Sequence, residues 1–76
     1  MNSQRRKKLK ALREELDGIR SRLEELTQEE QDALDAMPEA FRDGEKGEKA
    51  ADSIGALEDA LANVESAGDD LERAME

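Results

Sequence analysis

Apolar residues recur along the first half of the chain at Leu9, Leu12, Leu16, Ile19, Leu23 and Leu26, and the same phase continues through Glu30, Ala33 and Met37. The steps alternate three and four without a slip. With Leu9 at position a and Leu12 at position d, this is a sustained heptad, the mark of helices packed at a shallow angle with knobs in holes. The second half repeats it: Gly47, Ala50, Ile54, Leu57, Leu61, Val64, Gly68, Leu71 and Met75. Ala60, Ala67 and Ala74 stand one position before successive a residues and widen the stripe to the kind of face a bundle helix buries. Their small side chains would let a second subunit approach closely.

The pattern predicts a first helix over about residues 4–36, a turn over 37–44 and a second helix over 45–75, with Asn2 or Ser3 as the N-cap. At about 1.5 Å per residue each helix is about 45–50 Å long, and equal lengths with a short connection imply an antiparallel hairpin. Antiparallel pairing sets a layers against d layers. One register matches Leu9 with Leu71, Leu12 with Gly68, Leu16 with Val64, Ile19 with Leu61, Leu23 with Leu57 and Leu26 with Ile54. A register shifted by one heptad leaves the basic start of the chain unpaired. The segment "TQEE" at 27–30 matches a capping box and would allow a new helix to start there. The heptad crosses Thr27 unbroken, so the expectation is one continuous helix.

The centre of the chain, "MPEAFRDGEKGE", holds the only proline and the only phenylalanine. Pro38 biases Met37 away from helix, and "PEAF" can form one further turn with Pro at its first position. Asp43 is the expected cap of the second helix, with Glu45 and Glu48 favourable to its dipole. Phe41 is expected to plug the end of the seam over Met37 and Ala33. The alternative is that Phe41, beside Arg42, is an exposed anchor for a partner.

Composition narrows the function classes. Seventy-six residues make one domain, and a chain this short usually needs disulfides, metals or oligomerisation to complete a core. Cysteine and histidine are both absent, which removes disulfides, thiolate metal sites, the commonest general base and the usual pH switch. Ala, Leu, Glu, Arg and Lys dominate, which favours long helix over sheet. A second copy completing a four-helix bundle is therefore the expected form. The apolar runs are too short for a membrane span or a signal peptide, so the expected location is the cytoplasm.

Charge is uneven. Arg5, Arg6, Lys7, Lys8, Lys10 and Arg13 open the chain without an acid, whereas Asp69, Asp70, Glu72 and Glu76 crowd its last eight residues against Arg73. Each cluster sits at the unfavourable end of its own helix dipole, and an antiparallel hairpin sets them side by side to compensate. That pairing is preferred to a nucleic-acid patch, because the rest of the chain is strongly acidic and has no aromatic platform for bases.

The net charge of −9, with 43% of residues charged, leaves an acidic surface. It serves solubility, or it imitates a nucleic-acid backbone and occupies a basic groove by fast, salt-sensitive association. On the second helix Glu58, Glu65, Asp69, Asp70 and Glu72 are the candidate carboxylates for such a partner. "EELD" at 14–17 and "EEQD" at 29–32 loosely match the magnesium-holding elements of all-α nucleotide pyrophosphohydrolases. They lie on one helix about 22 Å apart, too far to share an ion. Glu30 is the one ionisable residue in the first seam. Its stem packs there while the carboxylate reaches the edge, or it fixes register as a polar a residue.

Three segments carry a resemblance: "RRKKL" at the start, "EEQDALD" before "MPE", and "GEKGE" opening an Ala/Asp/Glu-rich second helix. The chain resembles a loose group of short helical-hairpin proteins of bacteriophages, prophages and other mobile elements. The resemblance implies no catalytic or cofactor residues. It implies a small accessory protein that binds and blocks a host protein, including defence machinery. The leading expectation is therefore a non-enzymatic inhibitor docking on a basic, nucleic-acid-handling protein. An assembly protein working through its apolar helical face comes second, and a carboxylate–magnesium hydrolase third.

Overall fold

A computed structural model describes all of residues 1–76. It is entirely helical: α1 spans Ser3–Asp35, α2 spans Glu39–Arg42 and α3 spans Glu45–Met75. The two long helices pack lengthwise in a rod of 58 × 14 × 11 Å.

Asn2 caps α1, its Oδ1 accepting from the Arg5 backbone N–H at 2.8 Å. The helix runs through Thr27 without a break. The Thr27 hydroxyl donates to the Leu23 carbonyl at 2.7 Å, one turn back, so it caps nothing. After Asp35 the chain kinks at Ala36 and Met37, as the position before Pro38 requires. Pro38 precedes α2 rather than beginning it, and its carbonyl accepts from the N–H groups of Phe41 and Arg42 at 2.9 and 3.0 Å.

The expected cap of the last helix is corrected. Asp43 closes α2, its N–H donating to Glu39, and Gly44 is the N-cap of α3 without any side-chain hydrogen bond. The shift arises because α2 ends directly against the first turn of α3. Gly47 is buried there, and a Cβ at Gly47 would stand 1.8 Å from the Arg42 carbonyl oxygen. Glycine is required by that close approach and not by its dihedral angles.

On α3 the expected seam is the observed one: every member from Gly47 to Met75 is buried or half-buried. Ile54, 7% exposed, is the one buried hydrophobic side chain in the molecule. On α1 half of the expected seam is wrong. Leu9, Leu16 and Leu23 are half-buried as expected, but Leu12, Ile19 and Leu26 are 49%, 39% and 51% exposed, and Ala33 is exposed too. Their places against α3 are taken by Arg13, Thr27, Gln31 and Leu34, and Glu30 lies outside the seam.

The buried stripe is rotated by one position on one side: the a residues 9, 16 and 23 keep their place, and 13 and 27, each one position after a d residue, stand where 12 and 26 were expected, with the stripe continuing through 31 and 34. The offset is present from the first heptad, since Leu12 is as exposed as Leu26. Arg13, not Leu12, covers Gly68: a Cβ there would lie 3.2 Å from the Arg13 guanidinium. Leu16 does share a furrow with Val64, the partner the sequence assigns it.

Glycines inside α3 separate two energetic cases. Gly55 has nothing within 4 Å of an added Cβ, so Gly55→Ala is expected to raise stability by about 0.5–1 kcal/mol through helix propensity. Gly47→Ala must displace backbone and is expected to lower stability by about 1–3 kcal/mol. Urea unfolding of the two variants, followed by circular dichroism, checks the opposite signs.

Candidate interaction face

The rod has two unlike sides. Helical spacing puts Leu12, Ile19 and Leu26 of α1 on one side together with Ala60, Ala67 and Ala74 of α3. Between them lies a shallow groove of about 420 Å³, floored by Leu12, Leu16, Ile19, Ala67 and Leu71 and rimmed by Glu15 and Asp70. Ala60 and Ala67 are half-buried and Ala74 is exposed. The three alanines therefore mark the flank expected from the sequence. The leucine–isoleucine row beside them was missed, because the heptad reading assigned it to the interior.

The opposite side is polar. A smaller furrow of about 170 Å³ is lined by Arg13, Leu16, Asp17, Arg20, Val64, Glu65 and Asp69. Arg13 spans it. Its guanidinium pairs with Asp17 one turn along α1, and its Nε and Nη2 reach Glu72 Oε1 across the helices at 3.2 and 3.1 Å. The hydrogen bond that Arg13 donates to Asp17 raises the Arg13 pKa above its ordinary value; desolvation opposes it, and the charges of Asp17 and Glu72 add to the rise. Glu58, Glu65, Asp69 and Glu72 fall on this side, while Asp70 borders the apolar groove and pairs with Arg73 at 2.6 Å.

The five basic residues before Arg13 behave differently from the expectation. Arg5, Arg6, Lys7, Lys8 and Lys10 form no ion pair, and the acidic tail engages only Arg13 across the helices. Long side chains on the outer faces of α1 project into water rather than across the pair, so one contact carries the compensation assigned to the whole cluster.

Phe41 is not a plug. It is 51% exposed, and Lys46 Nζ lies 4.9 Å from its ring centroid. Because α2 packs on Gly47 through backbone, its single turn carries the aromatic ring outward. Arg42 is exposed beside it. The carboxylates of "EELD" and "EEQD" sit on the same α1, and no group of three or more acidic side chains converges as a metal site. No helix is long and apolar enough to cross a membrane.

An exposed cation–π contact is worth about 0.5–1 kcal/mol, whereas truncating a buried Phe costs about 3–5 kcal/mol. Phe41→Ala is therefore expected to cost under about 1 kcal/mol in a chemical unfolding titration. Compared with known proteins, the chain matches no family model, no curated protein and no solved structure.

Proposed function

We propose that this chain is a protein-binding module, working by contact rather than catalysis, whose helical hairpin completes its core by docking the Leu12–Ile19–Leu26 face on another helical surface. Two hairpins in a four-helix bundle are the simplest completed form. One observation carries the reading. Three large apolar side chains stand in a row, 39–51% exposed, in a molecule whose single buried hydrophobic side chain is Ile54. Scattered apolar residues are normal on a surface, but a contiguous row marks an interface.

This favours assembly through the apolar face over the acidic decoy as the primary activity. The decoy keeps support of its own from the opposite side, where Glu58, Glu65, Asp69 and Glu72 project from α3 in a chain of net charge −9. That side suits a basic, nucleic-acid-handling host protein, as an anti-defence inhibitor would require. The two activities use different faces and do not compete for residues.

The test is the triple variant Leu12→Ser, Ile19→Ser, Leu26→Ser. Association, measured by sedimentation, is expected to disappear. Helicity at high dilution, where association no longer contributes to stability, is expected to stay near that of the parent chain. A loss of about 2–5 kcal/mol per site in the isolated chain would make the row part of the core and defeat the proposal. Binding to a basic partner that survives the triple variant and weakens steeply with ionic strength is the decoy's signature.

A further inference from the structure

Resting on that reading of the apolar face, we infer that its occupant is a second copy of this chain, docked antiparallel through α1, with the two-fold axis beside Ile19. The apolar row is symmetric about that residue: Leu12 and Leu26 are each seven positions away. Reversing one α1 against another sets Leu12 on Leu26 of the partner subunit and Ile19 near its own copy, the self-complementary contact a two-fold interface needs.

The charges beside the row follow the same symmetry. The residues four positions before Leu12, Ile19, Leu26 and Ala33 are Lys8, Glu15, Arg22 and Glu29, alternating in sign. All four are exposed, and none is in an ion pair within the chain. Antiparallel helices match such flanking positions across the interface, and charges there set partner orientation. About an axis between residues 18 and 19, Lys8 faces Glu29 of the partner subunit and Glu15 faces Arg22 of the partner subunit, each pair occurring twice.

The alternatives fail on the same residues. Parallel α1 helices put this flank on opposite sides of the seam in the two copies, so its four charges do not meet each other. A slip of one heptad either way sets Arg22 on Arg22 of the partner subunit with Glu15 on Glu29, or Glu15 on Glu15 with Lys8 on Arg22. Stacking α1 on the partner's α3 leaves the four charges opposite Ser53, Ala60, Ala67 and Ala74, which carry none.

The net charge agrees. Residues 19–59, the half containing the turn, hold 13 acids and five bases, a net of −8, and the other half has a net of −1. Antiparallel docking keeps the two −8 halves apart. The broad side measures 58 × 14 Å in outline, on the scale of the roughly 800 Å² of surface that each partner gives to an interface of standard size.

The experiment is a charge swap read by sedimentation equilibrium at low salt. Arg22→Glu alone and Glu15→Arg alone each set like charges together at two symmetric places. Each is expected to weaken the homodimer about tenfold or more. Mixing the two variants restores both pairs, so the mixture is expected to recover parental affinity as a heterodimer. Because the chain has no cysteine, Ile19→Cys gives an independent reading and is expected to form a disulfide with its own copy under mild oxidation. A dimer whose affinity ignores the swaps, or in which Ile19→Cys cross-links to Ala60→Cys and not to itself, overturns the orientation and leaves the apolar-face reading standing. A chain that sediments as a monomer at every concentration overturns the second copy as occupant. Loss of association in the Leu12, Ile19, Leu26 serine variant is the separate test of the face itself.

Discussion

Two straight helices cover only one side of each other, and this chain carries more apolar surface on α1 than one contact can use. The apolar residues fall in two rows, a and d, on neighbouring strips of the helix, and α3 meets the a row and the positions just after d. One apparent stripe is thereby divided into two. Leu9, Leu16 and Leu23 stay against α3, and Leu12, Ile19 and Leu26 turn toward solvent. The shallow core, the apolar groove and the unequal sides of the rod all follow.

Much of the fold was legible because it depends on local chemistry. Asn2 caps as its residue type predicts, Pro38 ends the first helix, and α3 buries every residue of its seam. The failures are of another kind. Leu12 and Arg13 are adjacent, and hydrophobicity ranks Leu12 as the buried one. Gly68, with no side chain, leaves room for the Arg13 guanidinium to lie over it, where Asp17 and Glu72 engage its charge. Phe41 was misplaced for a similar reason. Its exposure depends on the contact between Arg42 and Gly47, a packing of backbone on backbone that no side-chain pattern reports. The alanine flank was visible as a stripe. Its partner row on α1 was not, because it was counted as core.

The small core bears on the energetics. Domains of this size bury too little apolar surface to hold a large margin of stability. Here the α3 seam holds Gly47, Ala50 and Gly68, three positions with little or no side chain, so packing on α3 gains little dispersion energy there. Covering the exposed row would then do two things at once: remove apolar surface from water and stabilise the folded chain by mass action. Folding and binding are coupled on this reading, because the same leucines are surface in one state and core in the other.

The polar side shows why docking would choose one face. Arg13 closes the furrow between α1 and α3 with a guanidinium engaged by two carboxylates. A helix arriving on that side would have to bury or break those pairs, and stripping a paired charge of water while removing one partner is strongly unfavourable. On the other side the groove floor is aliphatic, and of its two rim charges Asp70 pairs with Arg73 along its own helix while Glu15 is in no ion pair. Water is displaced there at no comparable penalty, and the rim charges are satisfied rather than orphaned if the incoming surface alternates in the opposite sense. On the proposed reading, Arg13 would contribute to specificity by making the polar face costly to cover, while Lys8, Glu15, Arg22 and Glu29 would restrict which surface, in which direction, fits the apolar one.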